Sequence, residues 1–272
     1  MIELPDRSTL YCASDLHLST HTPRTMQAFE HWLAGIATEN AVIWLLGDVF
    51  EVWYGDDYSD DCTMRFEKAV RSAVAAGAQV SFLHGNRDFL LGEDFAERCG
   101  MTLQPDPEFL NIAGRVVMLT HGDALCTDDT AYQAFRRQSR DIDWQERLLG
   151  QPLAHRMALA KTIRQESKEH KANSALSIQD VNLQAVQAAF GGRWPDGDYI
   201  GPCQVMIHGH THRCAVHRAE QQANTGTQTG QLTDGLRIVL PDWNFDTPDP
   251  GQSKGGFLNI QPNGSYTLTV FN

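Results

Sequence analysis

Ala41-Val42-Ile43-Trp44-Leu45-Leu46-Gly47-Asp48 is a run of six apolar residues closed by a glycine and an aspartate. A continuous apolar run of that length predicts a strand buried on both faces, in a sheet covered by helices. The neighbouring segments agree. Thr9 to Ser14 and Gln79 to Leu83 are further short apolar runs. Between them, Met26 to Ile36 has helical spacing through Phe29, Trp32, Leu33 and Ile36. Met64 to Ala76 has it too, with Gly77 as a C-cap. Asp94 to Cys99 reads as a short helix, and Phe109 to Ile112 with Arg115 to Thr120 as a hairpin about Ala113-Gly114. Strands alternating with helices predict an α/β domain.

From Thr130 to Phe190 the pattern is almost all helical, so this stretch predicts a helical insertion. Leu148, Leu149, Leu153, Met157, Leu159 and Ile163 alternate there with Arg147, Arg156, Lys161, Arg164, Lys168 and Lys171. These apolar residues could simply pack on the domain, or some of them could line a slot while Arg147, Arg156, Lys161, Arg164 and Lys168 meet anionic lipid. Strands are predicted at Gln204 to Ile207, Val216 to Arg218, Leu236 to Leu240, Phe257 to Ile260 and Tyr266 to Val270. Asn263-Gly264 joins the last two as a hairpin. Ala219 to Asp234 is rich in Gln, Thr and Gly and predicts a flexible surface loop.

The chain has 272 residues and a formal net charge of −12, from 22 Lys+Arg and 34 Asp+Glu. That balance argues against a general nucleic-acid binder. It argues less against a phosphate enzyme whose bound metal ions supply positive charge. No apolar run is long enough to span a membrane, and the N-terminus lacks a signal-peptide layout, so the chain is expected in the cytoplasm. The six cysteines form no CxxC pair and are expected to be buried and reduced.

Five short motifs follow predicted strands: Asp15-Leu16-His17, Gly47-Asp48, Gly85-Asn86-Arg87-Asp88, His121-Gly122-Asp123 and His208-Gly209-His210-Thr211-His212. Open α/β sheets place their sites at the carboxyl ends of strands. In an extended chain, residues two apart point the same way, which pairs Asp15 with His17 and His208 with His210. A single DxH is a weak signal and a lone Gly-Asp is usually a turn. Five such motifs in order have no economical structural explanation. Oxygen and imidazole donors without thiolate suit Mn²⁺, Fe²⁺ or Zn²⁺. Their number exceeds one tetrahedral site and suits two ions sharing a carboxylate, with Asp48 as the bridge. Two ions about 3.5–4 Å apart can hold a hydroxide and clamp phosphoryl oxygens. Asp88 and Asp123 are candidates to support the ligands.

This motif order resembles the calcineurin-like metallophosphoesterases. With Asp48-Val49-Phe50-Glu51, Gly55-Asp56-Asp57, Arg87-Asp88-Phe89-Leu90-Leu91-Gly92 and Cys126-Thr127-Asp128-Asp129 added, it resembles the UDP-2,3-diacylglucosamine hydrolases of lipid A biosynthesis. The resemblance implies a four-layer αββα sandwich, one domain over residues 1–272, with a helical cap at 130–190 and two Mn²⁺ per chain. It implies a first ion on Asp15, His17, Asp48 and His210, and a second on Asp48, Asn86, His121 and His208. Asp48, Asn86, Arg87 and His121 would carry the reaction. Substrate contacts would fall on Asn86, Arg87, Asp129, Ser167 and His208, with Lys171 and Ser174 standing where relatives carry Asn and Lys.

The implied reaction cleaves the pyrophosphate of a lipid-linked UDP-sugar. Most of the wider superfamily carries a proton-donating His at the position of Arg87. A phosphate leaving group has a second pKa of about 6 and needs no donor, whereas a guanidinium grips phosphate bidentately. The expected setting is the cytoplasmic face of the inner membrane, bound peripherally, as a monomer without nucleic acid. The alternatives are another dinuclear phosphoesterase, such as a nucleotide pyrophosphatase or phosphodiesterase, and a non-catalytic scaffold. A scaffold would be expected to lose ligands, and an amphipathic insertion has no use for a bare nucleotide.

Overall fold

In the computed structural model, which describes residues 1–173, 180–218, 221–224, 226–252 and 254–271, strands and helices alternate as the apolar pattern predicts. A two-residue strand β1 (Ile2–Glu3) precedes β2 (Thr9–Ala13), α1 (Pro23–Ile36), β3 (Ala41–Leu46), α2 (Asp61–Ala75), β4 (Gln79–Leu83), α3 (Glu93–Cys99) and β5 (Thr102–Gln104). The hairpin β6 (Glu108–Ile112) and β7 (Arg115–Leu119) follows. Its turn residues Ala113 and Gly114 both have positive φ, 52° and 75°, which matches the right-handed twist of the paired strands. Then come α4 (Thr130–Ser139), α5 (Ile142–Leu149), α6 (Leu153–Asn173) and α7 (Leu183–Phe190). The chain ends in β8 (Val205–His208), β9 (Ala215–Arg218), β10 (Gln221–Asn224), β11 (Gln228–Gln231), β12 (Leu236–Val239), β13 (Gly255–Ile260) and β14 (Ser265–Phe271).

Two seven-stranded sheets result, ordered β1-β6-β7-β8-β12-β9-β10 and β11-β14-β13-β2-β3-β4-β5. The period-two alternation of side chains sets the layers. Leu10, Cys12, Val42, Trp44 and Leu46 meet Val117, Leu119, Val205, Ile207 and Ile238 between the sheets. The opposite residues of β3, Ile43 and Leu45, pack against Phe29 and Leu33 of α1 and Phe66 and Val70 of α2. Phe29 and Phe66 stack with ring centroids 5.3 Å apart. Outside the other sheet, Met118 and Met206 pack on Val186 and Ala189 of α7. The molecule is an αββα sandwich, and β3 is buried on both faces as its sequence requires. Helix α2 begins with a reciprocal cap, Thr63 N donating to Asp60 Oδ1 and Asp60 N to Thr63 Oγ1, which satisfies two otherwise orphaned donors.

One expectation is corrected. Residues 219–234 contain two edge strands rather than a loop. β10 pairs antiparallel with β9, and β11 with β14, so this stretch ends both sheets. Edge pairing is a backbone interaction and asks for no apolar side chains, so the composition gave no strand signal. Gly230 sits opposite Tyr266, and a Cβ there would lie 2.8 Å from the Tyr266 hydroxyl.

β2, β3 and β4 run parallel, as do β7 and β8, and all five end next to a motif. The four helices α4–α7 separate β7 from β8. Gln133, Arg136 and Ser139 of α4 are buried, whereas α5 buries no residue. Arg156, on α6, is buried and donates to Tyr54 O and the Asp57 carboxylate. These bonds tie α6 over the loop that follows β3.

Candidate metal centre

The five motifs converge through strained backbone. Asp15 (φ 56°), His17 (48°), Asp48 (50°), His210 (67°) and His212 (55°) all adopt the left-handed region. Asp and His tolerate it better than most residues, and clustering of such strain marks functional sites. Close backbone packing accompanies it: a Cβ on Gly47 would lie 2.4 Å from Gly85 N, and one on Gly85 2.2 Å from Asp48 N. Only glycine lets those two loops touch.

Asp15 and Asp48 are buried at the middle of the cluster. Asp15 Oδ2 accepts from Ser14 Oγ at 2.7 Å and from His210 N at 2.8 Å. Its Oδ1 is buried without a hydrogen-bond donor and lies 3.4 Å from His212 Nε2. His212 Nε2 in turn lies 3.3 Å from His17 Nε2. Asp48 Oδ1 accepts from Arg87 N at 2.8 Å and lies 3.6 Å from His121 Nε2. His121 Nε2 is 3.2 Å from Asn86 Oδ1, and its Nδ1 faces Leu46 O at 2.9 Å. Donor atoms of Asp15, His17 and His212 lie within one coordination sphere's reach, as do those of Asp15, Asp48 and His121.

These donors fit divalent ions. Two imidazole nitrogens facing each other beside a bare carboxylate oxygen need a cation or a proton between them. Two donors at right angles on an ion with bonds of about 2.1 Å stand about 3 Å apart, close to the observed spacing. The electrostatics agree. Burial favours the neutral acid at Asp15, yet the close contact and charge of His212, with the charges of His121 and His17, hold its carboxyl well below the usual range. Burial disfavours charge on His121, yet Asp48, Asp15 and Asp123 raise it to about 9. His212 is raised to about 10 against its burial by contacts with Asp15 and Asp242.

Most expected ligands are therefore together: Asp15, His17, Asp48, Asn86 and His121. The third motif histidine, His212, joins Asp15 and His17, where His210 was expected. The His210 ring instead lies 5.0 Å from that of His121, centroid to centroid. His208 stands apart. Its Nε2 lies 3.1 Å from Arg237 Nη1 and its Nδ1 2.9 Å from Gly209 O. The expected pairing of His208 with His210 assumed an extended chain, but the strand ends at His208 and the backbone reverses at His210 and His212. The carboxylate shared by both donor groups is Asp15, where Asp48 was the expected bridge.

Some of the expected substrate contacts fall around a cavity of about 320 Å³. Asn86, Arg87 and Ser167 line it, with Phe135, Trp144, Leu148, Leu159 and Ile163 giving an apolar wall. Arg87 Nε is 3.9 Å from Asp48 Oδ2 and its Nη1 3.6 Å from Glu51 Oε1. Asp129 caps α4, accepting from Tyr132 N at 2.9 Å. Lys171 falls within α6, and Ser174 lies outside the described residues. Asp88 binds the two glycine loops together, accepting from Gly85 N at 2.8 Å and Val49 N at 2.7 Å. Burial and the Asp48 charge raise Asp88 to about 6. Asp123 holds α4 through Tyr132 Oη at 2.5 Å and Arg136 Nε at 3.1 Å. Sequence reasoning singled out neither Asp242 nor Arg237. Asp242 also follows a strand, β12, so the strand-end rule that found the other motifs would have reached it.

Comparison with known proteins adds the family. A UDP-2,3-diacylglucosamine hydrolase of Chromohalobacter salexigens is 40% identical over 235 residues, covering 86% of this chain and 89% of that one. One from Xanthomonas oryzae pv. oryzae is 39% identical over 237 residues, 85% of this chain and 89% of that one. One from Escherichia coli is 40% identical over 239 residues, 88% of this chain and 92% of that one. This chain belongs to the UDP-2,3-diacylglucosamine hydrolase family. No family model matches it. Family membership makes the centre that of a hydrolase and agrees with the αββα sandwich.

Proposed function

We propose that this chain hydrolyses the pyrophosphate bond of UDP-2,3-diacylglucosamine, giving UMP and 2,3-diacylglucosamine 1-phosphate. The observation that carries this reading is one cavity with two chemistries. Asn86 and Arg87 stand at the metal-centre end, and Phe135, Trp144, Leu148, Leu159 and Ile163 form the wall beneath α4–α6. A nucleotide alone would leave that wall unfilled, whereas each methylene of an acyl chain buried there contributes about 0.8 kcal/mol.

Two divalent ions, Mn²⁺ in our reading, would be held by the centre. Asp15, His17, Asp48, Asn86 and His121 would supply donors for them, with histidines of the last motif. When bound, the ions supply an activated water and a Lewis-acid clamp on the phosphoryl oxygens. The chain's own residues do the rest. Arg87, with its guanidinium beside the donors, neutralises charge gathering on the pyrophosphate. It offers no proton, and a phosphate leaving group asks for none. Asn86 and Ser167 line the way between ions and apolar wall. Ile142, Leu149 and Met157 of α5 and α6 are exposed, and the same two helices carry Arg147 and Lys161. We read this surface as the part that meets the anionic face of the inner membrane while the acyl chains enter. No described helix is long and apolar enough to cross a membrane.

The test is turnover of UDP-2,3-diacylglucosamine, followed as UMP, with Mn²⁺ and with excess chelator. UMP formation that requires the ion supports the reading. Equal rates with chelator, or no UMP at all, would overturn it.

A further inference from the structure

The loop that carries Asn86 and Arg87 has its backbone groups claimed by side chains from elsewhere. Its amides go to carboxylates: Gly85 N donates to Asp88 Oδ1 at 2.8 Å, and Arg87 N to Asp48 Oδ1 at 2.8 Å. Its first carbonyls go to one guanidinium. Arg140 Nη2 donates to His84 O at 3.2 Å and to Gly85 O at 3.0 Å. Arg140 closes α4 and lies 55 residues beyond Gly85. Helix α4 spaces Tyr132, Arg136 and Arg140 four apart, which stacks them along one face. All three reach one buried oxygen, Asp123 Oδ2: Tyr132 Oη at 2.5 Å, Arg136 Nε at 3.1 Å and Arg140 Nη2 at 3.9 Å. Arg136 is anchored a second time by Asp196 Oδ2 at 3.1 Å. Asp123 stands two residues after His121. Arg140 therefore bridges the loop after β4 and the loop after β7.

We propose that Arg140 is a positioning residue, setting where Asn86 and Arg87 stand relative to His121 through its grip on His84 O and Gly85 O. This rests on the metal and pyrophosphate reading above. Asn86 Oδ1 lies 3.2 Å from His121 Nε2, and Arg87 is the cation for the phosphate, so both must be held to a fraction of an ångström. The residue type fits the task. A planar guanidinium can serve two carbonyls and still lie beside a carboxylate, whereas a lysine ammonium is a point charge on a different stem. A buried carbonyl released from its donor would pull the loop toward another partner.

Two variants separate grip from charge. Mn²⁺ is titrated into metal-free protein while the free ion is followed by paramagnetic resonance, and kcat and KM are measured on the acylated UDP-sugar and on a short, soluble phosphodiester. Arg140→Met should lower kcat by about 10–100-fold, the usual effect of losing such a support, and weaken one of two Mn²⁺ while leaving the other unchanged. KM for the acylated substrate should move less, because the apolar wall supplies most of its affinity. The loss should be equal on both substrates, since both need Asn86 and Arg87. Arg140→Lys keeps the charge beside Asp123 without the two-carbonyl grip, so it should melt like wild type when metal-free and still lose about tenfold in kcat. A kcat within twofold of wild type in Arg140→Lys would overturn the proposal, whether or not Arg140→Met folds, because charge balance at Asp123 would then account for the residue. So would a loss confined to the acylated substrate, or loss of both ions with a lowered melting temperature, which would mark a merely structural role. Wild type that binds no Mn²⁺, or releases no UMP, would overturn the metal and pyrophosphate reading itself, and the proposal with it.

Discussion

At the scale of single residues, the metal-free centre stores protons where ions belong. His121, raised to about 9, and His212, raised to about 10, are protonated at neutral pH because the carboxylates around them outweigh their burial. An ion needs both rings neutral, so loading it must expel protons. Affinity for Mn²⁺ should therefore rise between pH 6 and 8 with a release of about two protons at pH 7. Calorimetry in two buffers of different ionisation enthalpy measures this, and a binding enthalpy independent of buffer would refute it. The sign for stability is the reverse. Both folded pKa values lie above the ordinary histidine value of about 6.5, so they stabilise the metal-free fold fully below that pH. That contribution is lost as pH climbs through 9 to 10. A second expectation separates two histidines of the last motif. His212→Ala should lose bound metal and lower turnover by roughly 100-fold or more. His208→Asn should keep two ions per chain by metal analysis, because His208 faces Arg237. The reverse pattern would restore His208 as a ligand. Residue types and order at the centre were legible in the sequence, since strand ends and donor chemistry select them. Which histidine faces inward was not. That choice depends on the left-handed backbone at His210 and His212, where the period of two no longer applies.

At the scale of elements, α5 and α6 turn a phosphate centre into a site with an apolar wall. Leu148, Leu159 and Ile163 line the cavity, while Leu149 and Met157 are partly exposed on the outer surface. The sequence marks this stretch as amphipathic but leaves its facing open. The facing is fixed by Arg156, whose guanidinium is held by Tyr54 O and Asp57, and by Arg164, held by Glu51. Those partners lie about a hundred residues away and leave no local trace. Changing Leu148 and Ile163 together to Gln should lower kcat/KM for the acylated substrate by about tenfold or more, given about 0.8 kcal/mol for each methylene left in water. A short, soluble phosphodiester should be cleaved at the wild-type rate. Equal loss on both substrates would mean that the wall supports the fold only.

At the scale of the whole molecule, two sheets meet face to face and bring five strand ends to one edge. The buried run at β3 announced this architecture, because a strand covered on both faces requires layers above and below it. The sheet edges were not announced. β10 and β11 are polar in sequence, and they add to opposite sheets as edge strands. Replacing residues 219–234 by a short turn should therefore lower the melting temperature by several degrees, since 1 kcal/mol corresponds to roughly 2–4 °C in a chain near this size. Mn²⁺ stoichiometry should stay at two, because none of the described residues in 219–234 is among the donors. An unchanged melting curve would show that these edge strands add nothing to stability. The central claim, a metal centre that opens a pyrophosphate, is tested most directly by phosphorus NMR of UDP-2,3-diacylglucosamine turned over with Mn²⁺ in ¹⁸O-labelled water. The account predicts that the paired diphosphate signals give way to two phosphomonoester signals, with the isotope shift on UMP, and that chelator stops the change. Diphosphate signals that persist as released UDP would place the cleaved bond outside the pyrophosphate and contradict it.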